Sequence, residues 1–385
     1  MESLSNIIQE YLRDENRHLW YYYTEVEEEN QDFRTINEVL TNPGDFVRRY
    51  LFKGSKEPEI NDFLDNHLFI PRMTHTVSIF FLGIILYHKV KFIKKCVDRY
   101  LISLEIKIIE KDPNHEFVKV PFKYYWFLVC FYHDLGYFSL KNEGVNLFNH
   151  DTWEGREFEV RTILEKIKGL GHGIPDFIMN NSFKYLDYRK EQFINDESDE
   201  PIDHGFLSGT YYYYNREKKF KEIFSSIENR YKDRCVENEL HWSKYLLEVV
   251  HPSISWNIIS HNVWFKKEIE GTGYRDKGMN DLISNHPKVV ISEYPLYFLL
   301  SLVDTIDFVK SFINLNDFDI DWVTNTRTVL ENVSFEKTTT SNSFRIQLEG
   351  YDRDQFYLKM KKNEYWLGFR VEKFEHNGIT FTISV

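Results

Sequence analysis

Cysteine is nearly absent from this chain: there are 3 in 385 residues. Cys96, Cys130 and Cys235 are far apart and odd in number, which excludes a disulfide framework and a Cys-x-x-Cys zinc site. Such usage fits a reducing cytoplasm. Positive charge is in deficit as well, with 60 Asp and Glu against 48 Lys and Arg and a net charge of −12. A protein that coats nucleic acid depends on excess Lys and Arg to neutralise phosphates, so that class is disfavoured; a local basic groove stays open. Long apolar runs are also missing. The longest, Val77 to Tyr87, is too short to span a bilayer and is flanked by His75 and His88. Residues 1–14 are polar and read as an amphipathic helix with Leu4, Ile7, Ile8, Tyr11 and Leu12 on one side, not as a signal peptide. A cytoplasmic protein with no membrane partner is the expectation.

What the chain does have in quantity is aromatic residues, 17% of the total, including 25 Tyr and 32 Phe. That content speaks for dense packing more than for any one chemistry. Charged residues at 28% and hydrophobic residues at 42% are ordinary for a globular protein. The length suits one large domain with an appendage. Turn signals and pattern changes divide it into an N-terminal helical extension, 1–66, a main domain, 67–316, and a C-terminal module, 317–385. Within the main domain, about 139–201 is polar and glycine-bearing and reads as an insertion of loops and short helices that can cover a site.

Candidate chemistry begins at Phe131-Tyr132-His133-Asp134-Leu135-Gly136-Tyr137. An imidazole beside a carboxylate after a buried-looking segment is a natural pair of metal ligands; the ordinary alternative is a histidine capped at a helix end. Pro71 opens an apolar helix in which Arg72 and His75, three apart, share a face. Further on, Asp203-His204-Gly205 leads into a helix placed at Thr210 to about Asn215, and Ser253 to Val263 forms another that carries His261. The small residues Gly205, Ser208 and Gly209 allow close helix approach or room for a ligand. Gly271 to Arg275 is glycine-rich but lacks the spacing of a P-loop. His150-Asp151 repeats the dipeptide in polar surroundings, where a turn is the default.

Asp304 is the most informative single residue. It lies in Tyr294 to Val309, read as one helix that is apolar on nearly every side. A carboxylate buried there demands a cation, a proton or a buried partner, and a metal is the simplest supplier. Asp307, one turn on, shares that face as a supporting or substrate-contacting group, with an ordinary surface acid as the alternative. Beyond Asp317 the period changes to two in Phe344 to Leu348, Leu367 to Val371 and Ile379 to Val385. Asn377-Gly378 is a two-residue hairpin signal, and a helix is expected between Asp352 and Asn363.

Taken together, His75, His133-Asp134, His204, His261 and Asp304 lie on five separate segments. In this order the chain resembles the HD superfamily of metal-dependent phosphohydrolases, whose pattern is H…HD…H…H…D on a helical bundle. The matching stretches are Arg72-Met-Thr-His75-Thr, His133-Asp134-Leu-Gly136, Asp203-His204-Gly205, Ile258-Ile-Ser-His261 and Leu302-Val-Asp304-Thr-Ile306, and they cover about 60–315. The resemblance implies a mainly α fold, an HD-type bundle followed by a small C-terminal α+β module. It also implies two divalent transition metals, Mn, Fe, Co, Ni or Zn: His75, His133 and Asp304 on the first, His204 and His261 on the second, and Asp134 bridging both.

The implied reaction is hydrolysis of a phosphoester or phosphoanhydride bond in a nucleotide, a dNTP or a signalling nucleotide, by metal-activated hydroxide. Arg72 resembles the family's phosphate-contacting arginine. Two departures stand out. Many two-metal relatives carry Lys where this chain has Tyr137, and Ser139 to Asn149 lacks the H-x-P-F-x-H stretch of the dNTP triphosphohydrolase branch. His150 is a candidate displaced catalytic histidine. The alternatives are a single-stranded nuclease of HD type, with nucleic acid the less favoured partner, and a non-catalytic nucleotide sensor signalling through the C-terminal module. The C-terminal module is assigned to packing, regulation or homo-oligomer formation.

Overall fold

A computed structural model describes residues 1–13, 35–41, 43, 46, 70–111, 121–137, 147–195, 200–226, 246–263, 272–282, 288–314, 320–375 and 377–385. The chain is mainly helical, with a small antiparallel sheet formed largely by its C-terminal part. In order, the elements are β1 (Glu2–Ser3), α1 (Leu4–Arg13), α2 (Ile36–Thr41), α3 (Ile70–Lys89), α4 (Lys91–Lys111) and α5 (Phe122–Tyr132). Next come α6 (Trp153–Ile167), α7 (Asp176–Ile194), α8 (His204–Ser226), α9 (His251–Ser260), α10 (Thr272–Asp276), α11 (Pro295–Ile306), α12 (Phe308–Phe312) and α13 (Trp322–Asn332). The last are β2 (Val333–Lys337), β3 (Ser343–Leu348), α14 (Arg353–Lys361), β4 (Phe369–Phe374) and β5 (Gly378–Ile383). Among the described residues no single helix is long and apolar enough to cross a membrane. Cys96 and Cys130 are buried free thiols, and Cys235 lies outside the described residues.

Two compact units divide these elements. The first takes Met1–Asp98, Pro121–Cys130 and Val290–Val385. Its sheet runs β1-β2-β3-β5-β4, antiparallel throughout, so the first strand of the chain pairs with β2 through Glu2↔Phe335 and Ser3↔Ser334. Alternation sets the buried face: Phe344, Ile346 and Leu348 of β3 lie beside Ile379, Phe381 and Ile383 of β5, and Phe344 stacks on Phe381 at 4.9 Å. Helix α1 buries Leu4, Ile7, Ile8, Tyr11 and Leu12, the stripe its spacing announces. Asp321 and Asp352 cap α13 and α14 by accepting from backbone N–H groups. The hairpin differs from the two-residue form: β4 ends at Phe374, which pairs with Gly378, already in β5, while Asn377 takes the left-handed conformation at φ 61°. Side-chain-to-backbone bonding makes asparagine tolerant of that region.

Arg99–Val120 and Phe131–Val289 form the second unit. Over 139–201, where loops and short helices were expected, the described residues include two longer helices of 15 and 19 residues. Thr152 caps α6, and Val160, Ile163, Leu164 and Ile167 form its buried stripe. The glycines of this stretch are concentrated in the connection between the two helices, where Gly169 and Gly173 have φ of 79° and 71°. Helix α8 is longer than the sequence suggested, beginning at His204 itself. Its Gly209 permits close packing of α9: a Cβ there would lie 2.6 Å from both Ile259 Cγ1 and the Ser255 carbonyl oxygen. From Thr272 on, the glycine-rich stretch is a five-residue helix, with Gly273 against Tyr188, not an open phosphate-cradling loop.

Candidate metal centre

The second unit gathers four of the candidate ligands. His133 and Asp134 lie in the turn after α5, closed by the Leu135 N–H donating to the Tyr132 carbonyl at 3.2 Å and the Tyr137 N–H to the Asp134 carbonyl at 3.1 Å. The Gly136 N–H donates to Ser208 Oγ at 2.7 Å, pinning the turn to α8. His204 opens α8, and His261 is the residue after α9. All four side chains are buried. One carboxylate oxygen, Asp134 Oδ1, lies 3.4 Å from His133 Nε2, 3.5 Å from His204 Nε2 and 3.9 Å from His261 Nε2. Ligand atoms of Asp134, His204 and His261 all fall within 4.8 Å of one another.

Hydrogen bonds around this group orient the rings. His261 Nδ1 donates to the Ile258 carbonyl, which leaves the Nε2 lone pair directed at the cluster. Asn262 Nδ2 lies 3.1 Å from His204 Nδ1 and 3.1 Å from Asp203 Oδ2. Asp203 is held by the Gly205 N–H at 2.8 Å and by the Tyr185 hydroxyl at 3.1 Å. Burial pushes its carboxyl up, but the charges of His204, Arg189 and His261 and the Asn262 bond together bring it below the usual carboxylate value. Tyr137 stacks on His204 at 3.7 Å and so supports that ring.

The first unit holds His75, Asp304 and Asp307. His75 is fully buried on α3; its Nδ1 donates to Asp307 Oδ2 at 2.8 Å, and its Nε2 lies 3.2 Å from Asp304 Oδ1. Tyr294 to Val309 is not one helix. It breaks at Asp307, where φ −40° and ψ 117° end α11, and the same side chain then caps α12 by accepting from the Val309 and Lys310 N–H groups. Asp307 also accepts from Ser78 Oγ. Burial raises its carboxyl, and the bonds from His75, Ser78 and Lys310 N outweigh that and hold it below the ordinary value. The break has a second effect, because residues six apart on an unbroken helix point about 120° away from each other. Lys310 instead folds back and donates to Asp304 Oδ1 at 2.8 Å. A second lysine, Lys359 of α14, donates to Ser311 Oγ at 2.8 Å and is held below the usual amine value, first by burial and then by the charge of Lys310.

Arg72 is half-buried on α3, one turn before His75. His150 pairs with Glu159 at 3.2 Å, while its carbonyl accepts from Arg156 Nε at 3.1 Å. Asn262, Lys310 and Lys359 are the residues that sequence reading missed. For Asn262 the signal was its place directly after His261; for the lysines no local signal existed, since one depends on a helix break and the other on a distant helix.

The donor set fits a divalent transition metal. Imidazole nitrogens with a carboxylate oxygen suit Mn, Fe, Co, Ni or Zn, whereas Mg and Ca prefer oxygen donors. Ligands about 2.1 Å from an ion stand roughly 3.0–3.4 Å apart, near the separations around Asp134 Oδ1. The His75–Asp307 pair is a carboxylate–histidine contact of the kind that fixes the orientation and tautomer of an imidazole ring. Neither a family model, nor a curated protein, nor a solved structure matches the chain.

Proposed function

We propose that this chain is a metal-dependent phosphohydrolase, of the HD type its sequence resembles, that cleaves a phosphoester or phosphoanhydride bond of a nucleotide. The observation that carries the reading is Asp134 Oδ1 with three imidazole Nε2 atoms 3.4 to 3.9 Å away, all buried. A buried carboxylate among imidazoles is stabilised by a cation. On the order of the motifs alone, the reading adds His75 and Asp304 as ligands of a second ion. Bound ions supply Lewis-acid charge, which neutralises a phosphate under attack and brings proton loss from water near neutral pH.

The chain's own residues do the rest. Asp134 contributes the negative charge that retains cations, and the Ile258 carbonyl keeps the His261 lone pair available. Asp307 acts through His75, so it is a positioning residue and not a group that touches substrate. Arg72 is assigned a phosphate contact and His150, paired with Glu159, proton transfer; unchanged turnover in H150A removes that role. The negative net charge of −12 favours a small nucleotide over a nucleic acid.

The test is a panel of dNTPs, NTPs, cyclic and linear dinucleotides and single-stranded DNA, assayed with Mn, Fe, Co and Ni, on wild type and D134A. The reading expects release of product from a nucleotide, lost together with bound metal in D134A. Inactivity of the wild type on every substrate with every metal overturns it, and metal retention with nucleotide binding but no turnover identifies a sensor.

A further inference from the structure

The sheet of the first unit ends differently on its two sides. Its order, β1-β2-β3-β5-β4, leaves β1 and β4 as the outer strands. With two residues running straight into α1, β1 is too short to pair further, whereas β4 has six, Phe369–Phe374. The Ser384 N–H donates to the Gly368 carbonyl at 2.8 Å, and the ladder continues by setting Arg370 opposite Thr382, Glu372 opposite Thr380 and Phe374 opposite Gly378. Hydrogen-bonded and non-bonded pairs alternate in an antiparallel ladder, so these residues commit their backbone groups to β5 while Phe369, Val371 and Lys373 turn theirs away from the sheet. Such an outward row is a template for another strand. One side chain stands on it: Glu364, in the turns after α14, accepts from the Val371 N–H at 2.6 Å and pairs with Lys361 Nζ at 2.8 Å, with 15% of the side chain exposed. A carboxylate on that N–H satisfies the donor and repels an incoming carbonyl.

Charges along the strand show what the edge fits. About a two-fold axis at Val371, an antiparallel copy brings Val371 opposite its own counterpart, where the pair exchanges two N–H···O bonds. Arg370 then stands opposite Glu372 of the second copy, and Glu372 opposite its Arg370, in the closer non-hydrogen-bonded positions. Both residues are exposed, and neither forms an ion pair among the described residues. Moving the axis to Arg370 or to Glu372 places like charges opposite each other, so the pattern selects one register. The Phe369 N–H is taken by the Leu367 carbonyl at 2.8 Å, which leaves the Lys373 N–H and the Phe369 carbonyl to flank the central pair. We infer that β4 is a homodimerisation edge held closed by Glu364, and that release of the Val371 N–H lets two copies join their sheets. The C-terminal module thereby acquires a controlled means of self-association, independent of the chemistry at the candidate metal centre.

Sedimentation velocity of the full chain over a concentration series tests it. Wild type is expected to stay monomeric, and E364A to dimerise; E364D, whose carboxylate is one methylene short of Val371, dimerises more weakly and decides the matter if E364A does not fold. Adding R370E to E364A weakens the dimer roughly tenfold or more, because both cross-strand pairs become like-charged. Adding E372R as well restores it, with the signs exchanged. Hydrogen exchange locates the contact: the Val371 amide exchanges more slowly in the E364A dimer than in E364A/R370E. Monomeric E364A and E364D with cooperative melting overturn the inference, as does a dimer indifferent to R370E or a wild type that already dimerises through this edge.

Discussion

Asp304 and Asp134 are both buried carboxylates beside histidine, yet the groups around them differ in kind. Asp304 has an ammonium of the same chain on its oxygen, Lys310 at 2.8 Å, with His75 Nε2 at 3.2 Å. Asp134 Oδ1 has the Nε2 atoms of three imidazoles around it instead. One cluster carries a cation that the backbone break at Asp307 delivers; in the other, three ring nitrogens converge on one carboxylate oxygen, a set that suits an external ion. The difference teaches that a buried acid in an apolar helix does not by itself announce a metal, whereas an acid ringed by oriented imidazoles makes the stronger case.

Four measurements break or sharpen that contrast. The largest effect is expected for D134A: turnover falls roughly a thousandfold or more and metal content, read by elemental analysis, drops to background. D307N is next, with metal affinity reduced about 10- to 100-fold by loss of ring orientation, read by equilibrium dialysis; an unchanged affinity removes Asp307 from the positioning role. D304N is expected to lower the unfolding free energy of the metal-free chain by about 1–3 kcal/mol, because His75 and Lys310 lose a charged partner. Urea denaturation reads it, and an equal loss in D134N would erase the distinction between the clusters.

The smallest effect concerns Glu157, whose ion pairs with Arg161 and Lys190 involve none of the candidate ligands. Burial raises its carboxyl, but the bonds and charges of Lys190 and Arg161 bring it below the ordinary 4.5. A depressed acid stabilises the fold above its unfolded value and loses that contribution as pH falls through the lowered one. About 0.5 kcal/mol is therefore expected to disappear below pH ~4.5. E157Q should flatten that part of the acid limb of stability against pH without changing metal content.

Much of this was legible in the sequence because single segments carry their own periodicity. The stripe of α1, the strands β3 and β5, the helix after Asp352 and the buried setting of Asp304 all follow from residue spacing. What the sequence hid depends on features that period-counting does not see. A two-residue strand at the N-terminus joins a sheet more than 300 residues away because β2 offers an edge. Glycines clustered at one connection made the segment holding α6 and α7 look loop-rich. Asp307 looked like a continuation of an apolar helix, since an Asp there is as consistent with a polar face as with a cap. Lys310 reaches Asp304 only because the helix stops, and Lys359 approaches only through the fold of the C-terminal module.

The central claim is that Asp134, His204 and His261 hold a transition metal. Electron paramagnetic resonance of the full chain loaded with Mn and dialysed, beside the H204A/H261A double variant, tests it most directly. Bound Mn with nitrogen hyperfine couplings from imidazole, lost in the double variant while its melting profile stays cooperative, is the predicted result. A wild type that retains no Mn, Fe, Co, Ni or Zn above the double variant would contradict it.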